Sequence, residues 1–168
     1  MKILVLNGSP RPKGNTAALS AAFAEGATGA GHEVEVANVG RMKFGGCLGC
    51  EYCHKAGNGV CVQKDEMAEL LPKLKEAEMV VFASPIHYWS FSGQLQAAIS
   101  RFYAIGKPTA KKYAMLLSSG SPGVYDAPVS QYHSMVGYFG GEDLGVHCVP
   151  GDADEAALAK VRAFGAGL

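Results

Sequence analysis

"KILVLNGSPRPKGNTAAL" (Lys2–Leu19) decides how the rest of the chain is read. It opens on a short β-branched and leucine run, Lys2–Gly8, that stops at glycine. A polar loop follows. The alanine-rich "NTAALSAAFAEGATGAG" (Asn15–Gly31) then reads as a helix capped by Asn15 or Thr16 and ended by glycine. A buried strand, a tight loop and a helix make the first βα step, and the chain repeats it. Further strands are expected at Glu33–Val39, Met79–Ile86, Lys111–Gly120 and Leu144–Gly151. Helices are expected at Lys64–Glu78, where Pro72 predicts a kink, and at Ser92–Gly106, Ala127–Gly140 and Asp152–Gly165.

Repeated βα units imply an α/β fold: a parallel sheet with helices on both faces and right-handed crossovers. Five strands suit the flavodoxin-like doubly wound order 2-1-3-4-5. Ligands then bind beyond the carboxyl ends of the strands, so the loops after the first, third and fourth strands are the places to search. The 168 residues suffice for one domain, 1–168, with a cysteine-rich insertion at about 41–63.

Fifteen Lys+Arg balance fifteen Asp+Glu, so the basic footprint of a nucleic-acid binder is missing. No run of about eighteen apolar residues exists to span a membrane. The four-residue apolar run Ile3–Leu6 meets a glycine loop and is too short for a signal peptide, which predicts a cytoplasmic protein. In a reducing cytosol, clustered cysteines are more often ligands or redox groups than structural disulfides.

The loop Asn7–Leu19 combines a helix start with Ser9, Asn15 and Thr16 as donors and Arg11 as a charge. Five residues separate Gly8 from Gly14, and Asn15 stands where a P-loop has lysine. The third glycine of a dinucleotide loop is also missing. A single terminal phosphate is the preferred ligand, over a turn that merely caps a helix. The loop "SPIHYWSFSGQL" (Ser84–Leu95) carries His87, Tyr88, Trp89 and Phe91. Such aromatics fit a flat conjugated ligand or a subunit interface, and the neighbouring phosphate loop favours the flat ring. His87 could act as a general acid, though an unassigned histidine is more often structural. In "SSGSPGVYD" (Ser118–Asp126), Gly120 and Gly123 let backbone approach a ligand closely.

"GCLGCEYCHKAGNGVC" (Gly46–Cys61) holds four of the five cysteines, Cys47, Cys50, Cys53 and Cys61, in the spacing C-x2-C-x2-C-x7-C. Three readings stay open. An iron–sulfur cluster wants four convergent thiolates; structural zinc usually prefers two separated pairs; free thiols could form a reversible disulfide. Cys148, inside an apolar strand, is expected to be a small buried hydrophobe.

"NGSPRPKGNT", "SPIHYWSFSGQLQAAISR" and "SSGSPG", in that order, resemble the flavodoxin-like NAD(P)H-dependent FMN reductases. With the cysteine motif added, the chain most resembles their iron–sulfur flavoprotein branch. The resemblance implies FMN, with its phosphate on Ser9, Arg11, Asn15 and Thr16. The isoalloxazine would lie against Pro85, Ile86, His87, Tyr88 and Trp89. Ser118, Ser119, Gly120 and Ser121 would close the other side, with Tyr125 nearby. It also implies a [4Fe-4S] cluster on the four cysteines. No catalytic side chain is then required, because flavin N5 carries the chemistry. The implied activity moves electrons from NAD(P)H or an electron-carrier protein to a small acceptor. The alternatives are a cluster-free quinone or nitro reductase and a flavodoxin-like electron-transfer protein. A homodimer or homotetramer is expected, since a partner subunit could cover the aromatic loop and the cysteine segment.

Overall fold

A strand that is apolar at nearly every position needs cover on both faces, and three strands here have that character. In a computed structural model describing residues 1–168, β1 (Lys2–Asn7), β3 (Met79–His87) and β5 (Lys112–Ser119) are buried along almost their whole length. They form the centre of the sheet. β2 (Glu33–Ala37) and β6 (Glu142–Pro150) are half-exposed and lie at its edges. The order is β2-β1-β3-β5-β6, all parallel. Counting parallel strands alone, this is the expected 2-1-3-4-5. The addition is β4 (Ser90–Phe91), which pairs antiparallel with the end of β3.

Alternation along each strand sorts side chains between two cores. Ile3 and Val5 of β1 pack on the face of α1 (Asn15–Gly29) and α5 (Glu155–Ala166), with Phe23 and Val161. Leu4 and Leu6 pack on the other face, with α2 (Met67–Glu76), α3 (Gly93–Arg101) and α4 (Asp126–Phe139). α2 runs through Pro72 rather than ending there. α3 continues as a 3-10 turn, Phe102–Ile105, so the expected helix Ser92–Gly106 is two pieces. Cys148 is exposed, contrary to the expectation of burial. The reason is topological: β6 pairs only with β5 and has a free edge. No helix is long and apolar enough to cross a membrane.

α1 and α5 approach backbone to backbone. A Cβ at Gly26 would overlap the Arg162 carbonyl, and one at Gly165 would overlap that of Phe23. Each helix therefore presents hydrogen where the other presents peptide. Gly26→Ala is expected to destabilise the protein by about 1–3 kcal/mol, the usual cost of overpacking. Urea unfolding checks this, with a lowered midpoint and an unchanged slope.

Candidate functional site

The residues after β1 make a loop held from three sides. The Gly8 N–H donates to the Ala83 carbonyl of β3 at 2.8 Å. The Ser9 N–H donates to Asn7 Oδ1 (3.0 Å), and the Arg11 N–H to Ser9 Oγ (3.2 Å). A Cβ on Gly8 would lie 2.6 Å from Ser92 Oγ, and one on Gly40 would overlap the Ser9 backbone. The loop thus has one shape available, packed between α3 and the turn after β2.

It delivers the chain into α1 through Gly14, and no side chain caps that helix. α2 and α4 likewise have no side-chain cap, whereas Ser92 of α3 accepts from the Leu95 N–H and Asp154 of α5 from the Ala157 N–H. The first-turn N–H groups of α1, with the positive end of the helix dipole, are left for an external anion. Arg11 and Lys13 line the same space. Two hydrogen bonds fix this corner to its neighbours. Thr16 Oγ1 and Ser118 Oγ, both buried, lie 2.7 Å apart and join α1 to β5. Asn15 Nδ2 donates to the Gly151 carbonyl at 2.7 Å, so this amide ties α1 to the end of β6.

A cavity of about 880 Å³ opens here, within the usual range of cofactor sites. Ser9, Arg11, Asn15 and Thr16 line it at one end, and Pro85, Ile86 and His87 at the other. Ser118, Ser119 and Gly120 line its side. Tyr88, Trp89, Ser121 and Tyr125 stand outside the lining. Ser119 Oγ donates to the Ser121 carbonyl and lies 2.6 Å from the Tyr125 hydroxyl, so these two residues brace the β5 rim from behind. Sequence reasoning missed Lys13, Gly151 and Asp152, which also line the cavity. Lys13 was legible as the second cationic position of the loop, after Arg11. The other two follow the last strand, whose end was not searched.

The aromatic segment is a hairpin rather than an open loop. His87 pairs with Ser90 and Ile86 with Phe91, leaving Tyr88 and Trp89 as a two-residue turn. Both have positive φ, 52° and 59°. That geometry normally selects Asn-Gly, and it costs an L-residue about 1–2 kcal/mol. The two rings meet edge to face, with centroids 5.6 Å apart, and Tyr88 is 94% exposed. The base of the hairpin is pinned by the Ser92 N–H donating to Ser84 Oγ (2.9 Å) and Gln96 Nε2 donating to Ser90 Oγ (3.0 Å). Strain of this kind gathers at functional sites.

The cysteine segment is mounted on α3 and its 3-10 extension. The Cys47 N–H donates to Ser100 Oγ (3.0 Å), Tyr103 donates its hydroxyl proton to Glu51 (2.7 Å), and His54 Nε2 lies 2.8 Å from the Tyr103 carbonyl. Arg101 closes the neck. Its Nη1 donates to the Gly45 carbonyl (2.9 Å) and to Asp65 (2.8 Å), and its Nη2 donates to the other Asp65 oxygen (3.1 Å). Residues on either side of the segment are thereby held by one buried guanidinium, 1% exposed. Burial opposes the charges of this pair, but their mutual hydrogen bonding prevails: Asp65 is held below the ordinary carboxylate range and Arg101 above its own. Sequence reasoning missed Arg101 as well. Its signal was a charge continuing the buried stripe Leu95, Ala98 at helical spacing.

None of the four cysteines is joined in a disulfide; Cys47 and Cys50 are exposed, Cys61 is half-buried and Cys53 is buried. Burial raises the Cys53 thiol above its ordinary value, and Cys61, Cys47 and Cys50 add to that. No three of them converge as ligands of one ion. The donor set nonetheless suits an iron–sulfur cluster in kind. At the neck of the segment, Arg101 Nε is the one buried side-chain polar atom without a partner.

Two outcomes follow from these geometries. Replacing Tyr88-Trp89 by Asn-Gly is expected to stabilise the FMN-free protein by about 2 kcal/mol through relief of two left-handed residues, read by urea unfolding, while turnover falls. Asp65→Asn leaves Arg101 buried and unpaired. It is expected to cost about 3–5 kcal/mol in the same measurement.

Comparisons with known proteins bear on the family and the fold. The family described as NADPH-dependent FMN reductase matches residues 1–152. An iron–sulfur flavoprotein of Archaeoglobus fulgidus is 32% identical over 178 aligned positions, covering 98% of this chain and 77% of the relative. One from Methanocaldococcus jannaschii is 29% identical, covering 98% and 94%. Among solved structures, an NAD(P)H:quinone oxidoreductase from Methanothermobacter marburgensis superposes with a TM-score of 0.78 at 22% identity, covering 99% and 95%. An azoreductase from Bacillus anthracis gives 0.77 at 20%, covering all of both chains. These two likenesses establish the shared fold. The uncapped α1, the cavity joining three strand ends, and the match over most of the sequence place this chain in the NADPH-dependent FMN reductase family, alongside relatives named iron–sulfur flavoproteins.

Proposed function

We propose that this FMN-dependent oxidoreductase takes electrons from NAD(P)H or an electron-carrier protein and passes them to a small acceptor such as a quinone. The observation that carries the reading is the single cavity that runs from the uncapped start of α1 to the base of the Tyr88–Trp89 hairpin. Bound FMN supplies the hydride and electron transfer. Ser9, Arg11, Thr16 and the first-turn N–H groups of α1 bind its phosphate. Pro85 to His87 and Ser118 to Gly120 orient the ring from two strand ends. Tyr88 and Trp89, at the exposed tip, cover the acceptor side. His87 lines the mouth and is the titratable ring there that can hold or move a proton.

The finer reading gives Cys47, Cys50, Cys53 and Cys61 to a [4Fe-4S] cluster, which supplies one-electron transfer. Its supports are the four-cysteine donor set and the name shared by the relatives. The test uses protein purified without oxygen, with flavin, iron and acid-labile sulfide measured on one sample, followed by turnover with NADPH and a quinone. One flavin with about four iron and four sulfide per chain is the expected result. Flavin without iron, together with rapid quinone turnover, replaces the cluster reading with a thiol-bearing reductase. Protein that binds no FMN overturns the proposal.

A further inference from the structure

The Tyr88–Trp89 turn is strained, and its own strands are too short to hold it. β4 has two residues, and so short a two-stranded ladder is marginal even without two left-handed residues at its tip. Toward the base, the Ser92 N–H donates to Ser84 Oγ. Nearer the tip, the hold is one amide. Gln96, in the first turn of α3, donates to the hydroxyl of Ser90, the residue that follows Trp89, at 3.0 Å. Its other amide hydrogen goes to Gln131 Oε1 of α4 (2.9 Å), and Gln131 Nε2 donates back to Gln96 Oε1 (2.9 Å). Two reciprocal bonds between half-buried amides fix the orientation of Gln96, which a single bond would leave free to swing. α4 also starts at the opposite rim. The hydroxyl of Tyr125, the residue before α4, lies 2.6 Å from Ser119 Oγ, and the Tyr125 carbonyl accepts the Val129 N–H. One helix therefore meets both walls of the ring end of the cavity: the β5 rim at its start and the hairpin through Gln131. Neither glutamine lines the cavity itself.

We propose that Gln131 and Gln96 are positioning residues for the acceptor side of the flavin site. Gln131 orients Gln96, Gln96 holds Ser90, and the Tyr88–Trp89 tip is thereby set at a fixed distance from the β5 rim. The gap between these walls then selects acceptors by thickness: it admits a flat ring laid on the flavin and resists a bulkier one. Hydrogen bonds suit this task better than apolar packing, because they fix direction as well as distance. A hydrocarbon side chain at either position would fill the space and still let Ser90 slide. The role in acceptor binding rests on the FMN oxidoreductase reading; the coupling of α4 to the tip does not.

Two measurements test this. Trp89 is the chain's single tryptophan, so one indole N–H resonance reports the tip. In ¹⁵N-labelled, FMN-loaded protein, Gln131→Leu is expected to lower the heteronuclear NOE of that resonance while FMN content is kept. An unchanged NOE overturns the coupling. In turnover with NADPH and the two-ring quinone menadione, Gln131→Leu is expected to raise KM for the quinone about fivefold, the scale of one or two net hydrogen bonds, with kcat little changed. The double variant Gln96→Leu/Gln131→Leu is expected to move KM no further than Gln96→Leu alone, because Gln131 acts through Gln96. Additive effects make Gln131 a separate structural contact and overturn the relay. A lowered NOE with an unchanged KM overturns the role in acceptor binding. Wild-type protein that loads FMN but turns over no quinone overturns that role together with the quinone reading, and the resonance then decides the coupling alone. If Gln131→Leu does not fold, Gln131→Met, which keeps the length and loses the amide, gives the same comparison.

Discussion

Three adjacent parallel strands with no solvent-facing side constrain everything else in this molecule. Because β1, β3 and β5 run the same way and sit side by side, the turns that leave them emerge at one end of the sheet. The sequence separates Ser9, Pro85 and Ser118 widely, yet parallel pairing makes them neighbours. Burial enforces the register: Ile3 and Val5 must face α1 and α5 while Leu4 and Leu6 face the opposite helices, and a slip of one residue would exchange them. A site assembled at that end inherits the rigidity of the core beneath it.

The helices extend that rigidity outward. Thr16 and Ser118 join the start of α1 to β5, and Asn15 joins it to the end of β6. On the other side, α3 begins at Ser92, which receives the hairpin, and ends at Arg101, which holds the cysteine segment. One short helix therefore carries the flavin-side hairpin at its beginning and the thiols at its end.

Much of this was legible in the residues. The apolar runs gave the strands and their order, because a strand buried on both faces announces itself by composition alone. The polar loop before Asn15 pointed to one end of the cavity, which Ser9, Arg11, Asn15 and Thr16 do line. What the sequence did not show has a common physical cause: it depends on partners distant in the chain. Asn15 lines the cavity as read, and its amide also donates to the Gly151 carbonyl, a tie that the sequence does not show. Tyr88 and Trp89 do not look like turn residues, since their geometry goes against their own preferences. Cys148 looked buried because its strand is apolar, and only the sheet order shows that the strand lies at an edge. Arg101 lies on an apolar helical stripe, and its role appears only when Gly45 and Asp65 are brought to it.

The missing cap of α1 bears on how the protein is made as well as on what it binds. A helix whose first N–H groups wait for a ligand is incomplete until the ligand arrives. The phosphate then serves the first helix as Ser92 and Asp154 serve α3 and α5. Since α1 packs against α5, the last element of the chain, through the close contact of Gly26 and Gly165, completing the beginning of α1 also secures the chain's far end. Cofactor supply and folded lifetime are thereby linked by mass action.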